Sequence, residues 1–189
     1  MARRFLVIGG KFLIVILGLG AVLATLFYML ASLLGPLSET TSVAAYEKTL
    51  KEWSGSGLVS HFPSNIPPHA QSVRFSAFSG YLQGGAHIQL RMKLPASEIA
   101  AIEACLKSET KHVYSGGDKY DHFNQNQQSN LPTTTFHTAD NPKVTYAFPA
   151  DYLLYVLSAR NNGSWNHGRT SGAAISTINN EVIYWAEAW

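Results

Sequence analysis

Charge is scarce in this chain: only 14% of its 189 residues are Asp, Glu, Lys or Arg. Cysteine is nearly absent, and the single Cys105 excludes both an internal disulfide framework and a four-cysteine zinc site. The sequence holds no G-x-S-x-G turn, and Gly55-Ser56-Gly57 lacks the flanking strand and helix, so a Ser-His-Asp hydrolase is unsupported. No phosphate-cradling G-x-x-x-x-G-K-[S/T] occurs, and Gly18-Leu19-Gly20 falls in an apolar run, which argues against a nucleotide partner. No internal repeat is visible. The length leaves room for one domain plus a short appendage, and 12% aromatic content argues against a wholly disordered chain.

What the sequence does have is one long hydrophobic run. Residues 12–34, FLIVILGLGAVLATLFYMLASLL, carry no charge, and as a helix they would span roughly 34 Å, enough to cross a bilayer. Arg3, Arg4 and Lys11 precede the run, and the first charge after it is Glu39. The positive-inside bias therefore predicts a cytoplasmic N-terminus over residues 1–11 and a periplasmic or extracellular C-terminal domain. The rival reading, a cleaved signal peptide, expects a shorter apolar core of about 7–15 residues, and the small-residue stretch Ser42-Val43-Ala44 lies well past the run. A buried core helix is a weaker alternative, because so long a run would have to be covered on all faces. Gly20 and Ala24 have the spacing of helix-pairing residues, which is common by chance. Without the three leading basic residues, eleven Lys and Arg stand against twelve Asp and Glu, a net charge of −1. The outer part has no basic stripe, so nucleic-acid binding has no electrostatic footing.

Beyond the run, Val43, Tyr46, Leu50 and Trp53 repeat as one helical face, predicting an amphipathic juxtamembrane helix over 38–54 that Gly55 and Gly57 end. Residues 55–189 read as a globular α+β domain. The proline-rich HFPSNIPPHA must run extended. Val73, Phe75 and Ala77, then Ala86, Ile88, Leu90 and Met92, alternate with polar residues, predicting an antiparallel hairpin with one wet face. Pro95 opens a helix over 95–108, with Ile99, Ile102 and Leu106 inward and Glu98 and Glu103 outward. Residues 112–142 have few aliphatics and read as a long exposed polar loop. Strands are expected at Val144–Phe148 and Tyr152–Ala159, the second central. A last hairpin turns at Asn179-Asn180, setting Ile175 opposite Tyr184, Thr177 opposite Val182 and Ala174 opposite Trp185. The expected architecture is a single transmembrane helix followed by one extracytoplasmic α+β domain, its antiparallel sheet of about six strands packed against one or two helices.

The strings HFP, IPPHA, YLQGG, LRMKLP and EVIYWAE are together similar to a family of small membrane-anchored bacterial proteins, mainly cyanobacterial, with no established activity. The resemblance spans most of residues 55–189. It implies a bacterial source and an extracytoplasmic domain, and it supplies no catalytic residue, because its motifs are structural punctuation.

Three sets of residues are candidates for chemistry. His112, Asp118, Asp121 and His122 combine imidazole and carboxylate, which suits zinc or another divalent ion, but the spacing matches no established metal motif and the composition equally fits a solvated turn. Cys105, beside the apolar stripe of its helix, is expected to be a buried small hydrophobe rather than a nucleophile. Arg160, Trp165, His167 and Arg169 bracket one turn, and Tyr81 and Gln83 occupy another loop; such residues suit recognition of a sugar, peptide or protein. Equally, Trp165 could pack on the sheet while the arginines solubilise the surface. Asn162-Gly163-Ser164 has the glycosylation sequon, relevant only in a eukaryotic secretory pathway. The reading that results is a non-catalytic, membrane-tethered binding or interaction domain with no cofactor, held in the bilayer by residues 12–34, with a possible protein partner in the membrane or envelope. The alternatives are a metal-assisted envelope hydrolase using His112, Asp118 and His122, and an accessory subunit of a membrane complex.

Overall fold

The computed structural model describes residues 20, 22–29, 39–80, 85–117, 134–140, 147–161 and 168–189. The chain divides into two compact units, Met1–Leu37 and Ser38–Trp189. In the first, residues 20 and 22–29 are helical and exposed; the rest of the apolar run lies outside the described residues. No helix among the described residues is long and apolar enough to cross a membrane.

The second unit is built on a six-stranded antiparallel sheet: β1 (Gln71–Phe78), β2 (Ala86–Lys93), β3 (His112–Ser115), β4 (Leu153–Asn161), β5 (Gly168–Ser176) and β6 (Glu181–Ala188). Their spatial order is β1-β2-β6-β5-β4-β3. Two helices accompany it, α1 (Tyr46–Trp53) and α2 (Ala96–Glu109), so the α+β expectation for this unit holds. Alternation in β1, β2 and β6 sends Phe75, Ala77, Ile88, Leu90, Met92, Val182, Tyr184 and Ala186 to one face, where they share a core with Tyr46, Ile99 and Leu106. Tyr46 is 1% exposed, meets Phe75 edge to face, and donates its hydroxyl to the Pro63 carbonyl at 2.5 Å. That bond fastens α1 to the extended proline segment.

The opposite face departs from expectation. It is not wet: Ser76 is 1% exposed and Gln89 is fully buried. Residues 134–140, expected within an exposed loop, cover this face, with Thr134, Thr135, Phe136, Thr138 and Ala139 all buried. His112–Ser115, at the start of the same expected loop, is strand β3, paired with β4; residues 118–133 lie outside the described residues. Phe136 stacks on Phe148 and joins Tyr114, Tyr152, Leu154, Ile183 and Trp185 in a second core. Arg91 crosses this layer, its guanidinium over the Phe136 ring and its Nε 3.0 Å from Glu181 Oε1, while the Tyr152 hydroxyl donates to Glu181 Oε2. A buried charge requires such a partner.

Four further expectations are corrected. The last hairpin turns through four residues, Thr177 to Asn180, with Asn180 at φ 52°, so the register moves by two: Ile175 opposes Val182, Ala173 opposes Tyr184 and Gly172 opposes Trp185. Glu103 turns inward to accept the Tyr155 hydroxyl at 2.7 Å. Cys105 is exposed, because one residue before Leu106 is far enough round the helix to leave the apolar stripe. Residues 147 and 148 are not in a strand, and 144–146 lie outside the described residues. At the outer edge, β1 carries an irregularity between Gln71 and Arg74 with Ser72 at φ 51°, and Thr40 exchanges both backbone hydrogen bonds with Ala77.

Candidate functional site

The covered face brings together four titratable residues from four parts of the chain. Alternation on β2 points His87 the same way as Gln89 and Arg91, and β6, paired with His87 opposite Glu187, contributes Glu187. The Thr40 bridge to β1 brings in Glu39, and the segment 134–140 carries His137. The imidazoles of His87 and His137 stack with centroids 3.6 Å apart and planes 5° from parallel. His87 Nε2 lies 3.6 Å from Glu39 Oε1 and 2.7 Å from Ser76 Oγ, which donates to the same Glu39 oxygen at 2.5 Å. His137 Nε2 lies 3.1 Å from Glu187 Oε1.

His137 owes its place to two buried anchors. Glu187 Oε1 accepts the Thr134 hydroxyl and, at 3.2 Å, the Thr135 N–H. Gln89 gives its Nε2–H to the Thr135 carbonyl at 2.9 Å, and its Oε1 receives the Thr138 N–H at 2.8 Å and hydroxyl at 2.9 Å. Arg91 adds a bond to the Thr138 carbonyl at 3.2 Å. Buried polar groups are satisfied in such networks or are costly. The polar residues of β2 thus serve as a seat for 134–138.

The electrostatics differ across the cluster. The His87 side chain is 11% exposed and that of Glu39 47%. The hydrogen bond to His87, aided by Ser76 and opposed by partial burial, draws the Glu39 carboxyl down to about 2. Burial lowers the pKa of His87 despite the Glu39 contact. A carboxylate and an imidazole are both groups that can offer an electron pair to a ligand. The cluster is not a catalytic triad: Ser76 is 1% exposed, and the carboxylate meets the same ring nitrogen as the serine rather than the opposite one. One oxygen of Glu39 and one ring nitrogen from each of His87 and His137 all lie within 4.8 Å of one another.

Small clefts open on both sides of His137: about 200 Å³ beside Gly85, His87 and Trp189, and about 350 Å³ beside Glu39, Arg74 and Asp140. A larger cleft of about 600 Å³ runs past His61, Cys105, Glu109 and Tyr184 on the other face. Its reactive groups are quenched. His61 Nε2 is engaged with the Gly172 carbonyl at 2.8 Å, and burial lowers its pKa to about 4. The Cys105 thiol points at Glu109 Oε1, 3.5 Å away, and that carboxylate raises its pKa. Such a thiol is a poor nucleophile.

The residues singled out from sequence fare unevenly. Arg160 and Arg169 are exposed and directly opposed across β4 and β5. Trp165, His167, Tyr81 and Gln83 lie outside the described residues, as do Asp118, Asp121 and His122. The strand ends Ala86, Ala188, Arg169 and Arg160 pair in succession across β2, β6, β5 and β4, so both arginines share the sheet end that carries His87. His112 is exposed on the edge strand β3, apart from the cluster group. The sequence alone did not single out Glu39, His87 and His137, which the fold brings together. The usable signal was EVIYWAE, whose Glu181, Ile183, Trp185 and Glu187 share one face; charge and bulky apolar groups mixed on one face indicate a covered network.

No family model matches the chain, and neither does any curated protein or solved structure. Its function is argued from its own residues.

Proposed function

We propose that this chain is a single-pass, membrane-tethered binding domain that faces the periplasm or cell exterior and carries out no catalysis. The observation that carries the binding reading is the convergence of Glu39, His87 and His137 at the rim of the covered polar layer. Ser76, Gln89, Arg91 and Glu181 are committed to structural contacts, whereas Glu39 stays half-exposed. That arrangement suits holding a ligand, because no group in it is placed as an activated nucleophile. The uncharged residues 12–34 and the basic residues before them support the tether and its orientation. Arg160 and Arg169, at the same sheet end, suit a surface that meets a partner.

Alkaline carbonate extraction of membranes, followed by protease treatment of intact cells, tests the topology. The chain should stay in the pellet, and a C-terminal tag should be digested from outside. Release of a product beginning near Ala45, or a protected tag beside digested surface markers, refutes it.

A further inference from the structure

We infer that Glu39, His87 and His137 form a site for a divalent transition-metal ion, with zinc the natural probe. This names the ligand of the binding site proposed above and rests on that reading. Two imidazoles and a carboxylate are a donor set that zinc and its neighbours accept, three protein ligands leaving one position open. Bonds of about 2.0–2.1 Å in a tetrahedron place ligand atoms about 3.3 Å apart. Glu39 Oε1 and His87 Nε2 stand at 3.6 Å, and all three donor atoms fall within 4.8 Å, so an ion draws them in by side-chain rotation alone. The Glu39 side chain is 47% exposed, so solvent reaches the site.

Charge favours the same assignment. Glu39 brings one negative charge to the ion, and the buried Glu187 stands 3.1 Å from His137 Nε2. Glu187 also holds Thr134 and Thr135, and so fixes the backbone that presents His137, the usual task of residues behind a ligand. The parallel rings must splay: a metal bonds in the plane of an imidazole, and two planes 3.6 Å apart cannot both contain one ion. Binding therefore opens the stack.

The ion would also act as a clasp. Glu39 adjoins Thr40, which pairs with Ala77 of β1, while His137 belongs to the segment that covers the sheet. One ion ties the residues entering the domain, the hairpin and the cover together.

The test uses the full chain in detergent, stripped with chelator and titrated with zinc by calorimetry, then with cobalt for its tetrahedral absorption bands. One ion per chain is expected. Glu39→Gln and His137→Asn should each weaken binding by at least roughly tenfold, while His112→Ala and His69→Ala, the latter removing an imidazole that pairs with Glu98 at 3.0 Å, leave it unchanged. Glu39→Gln is the informative variant, since an exposed, nearly isosteric change spares the fold. Zinc should also slow amide exchange at Thr40 and Ala77, which an ion bound elsewhere would not do. No zinc uptake, or uptake indifferent to Glu39→Gln and His137→Asn, overturns the inference and leaves the tether standing. Loss of membrane retention with zinc binding intact does the reverse.

Discussion

Replacing Gln89 by leucine isolates the seat of the covering segment. Gln89 is fully buried, and its amide meets the Thr135 carbonyl and both the N–H and hydroxyl of Thr138. The Thr135 carbonyl keeps another donor, the His137 N–H at 3.0 Å, so its loss is partly relieved. The Thr138 N–H loses the acceptor described for it, and its hydroxyl loses a partner in the same buried place. A buried polar group left unpaired costs about 1–3 kcal/mol, so the two together should cost at least about 2 kcal/mol. That cost falls on local opening of 134–140 before it falls on the whole sheet. Hydrogen exchange of the full chain should show the amides of residues 134–140 exchanging at least roughly 30-fold faster, with those in the middle of β5 and β6 nearly unchanged. Zinc affinity should fall in parallel, because His137 lies between the two residues that Gln89 clamps. Unchanged exchange across 134–140 in Gln89→Leu would refute the idea that this side chain holds the cover down.

Other perturbations probe other layers. A Cβ at Gly172 would stand 2.1 Å from the Tyr155 carbonyl oxygen and 2.6 Å from the Trp185 indole, so Gly172→Ala should cost at least about 3 kcal/mol and lower the thermal midpoint sharply; a melt within a degree of the parent would contradict the packing. Glu181→Gln leaves Arg91 with Asp140, 3.4 Å away, as its remaining carboxylate among the described residues, and should destabilise by about 3 kcal/mol, read by chemical denaturation. His61, whose pKa is lowered to about 4, is neutral above about 6.5 in both folded and unfolded chains and contributes no pH dependence there. Between that pH and about 4 only the unfolded chain gains the proton, so stability should fall by about 2–3 kcal/mol as pH drops. His61→Gln should flatten this slope, and an identical slope in the variant would sink the assignment.

The strands and helices were legible because period-two and period-3.6 apolar patterns record which residues face a core, as in β1, β2 and α2. Alternation does not reveal whether the polar side of a strand is solvated or covered. His87, Gln89 and Arg91 look like a wet face until a distant polar segment lands on them. That segment lacked an aliphatic pattern because its attachment is made by hydrogen bonds from Thr134, Thr135 and Thr138, and Phe136 is its one large apolar anchor. The hairpin register slipped by two because Asn179-Asn180 reads as a two-residue turn, while the Ser176 hydroxyl accepting the Asn179 N–H at 3.2 Å holds a four-residue one. The pairing of a small residue with Trp185 survived the shift, with Gly172 in place of Ala174. Glu39, His87 and His137 are about fifty residues apart in sequence, and no local spacing announces a site that only tertiary folding assembles.

The Thr40 bridge on β1 has a practical consequence for anyone shortening the chain. An unguarded outer strand offers its unpaired amides to a neighbouring molecule, and at Ala77 this rim is occupied by residues that a trimming design would discard as linker. A version starting at Val43 would lose both that cover and the Glu39 carboxylate, and should self-associate in solution where one starting at Ser38 does not.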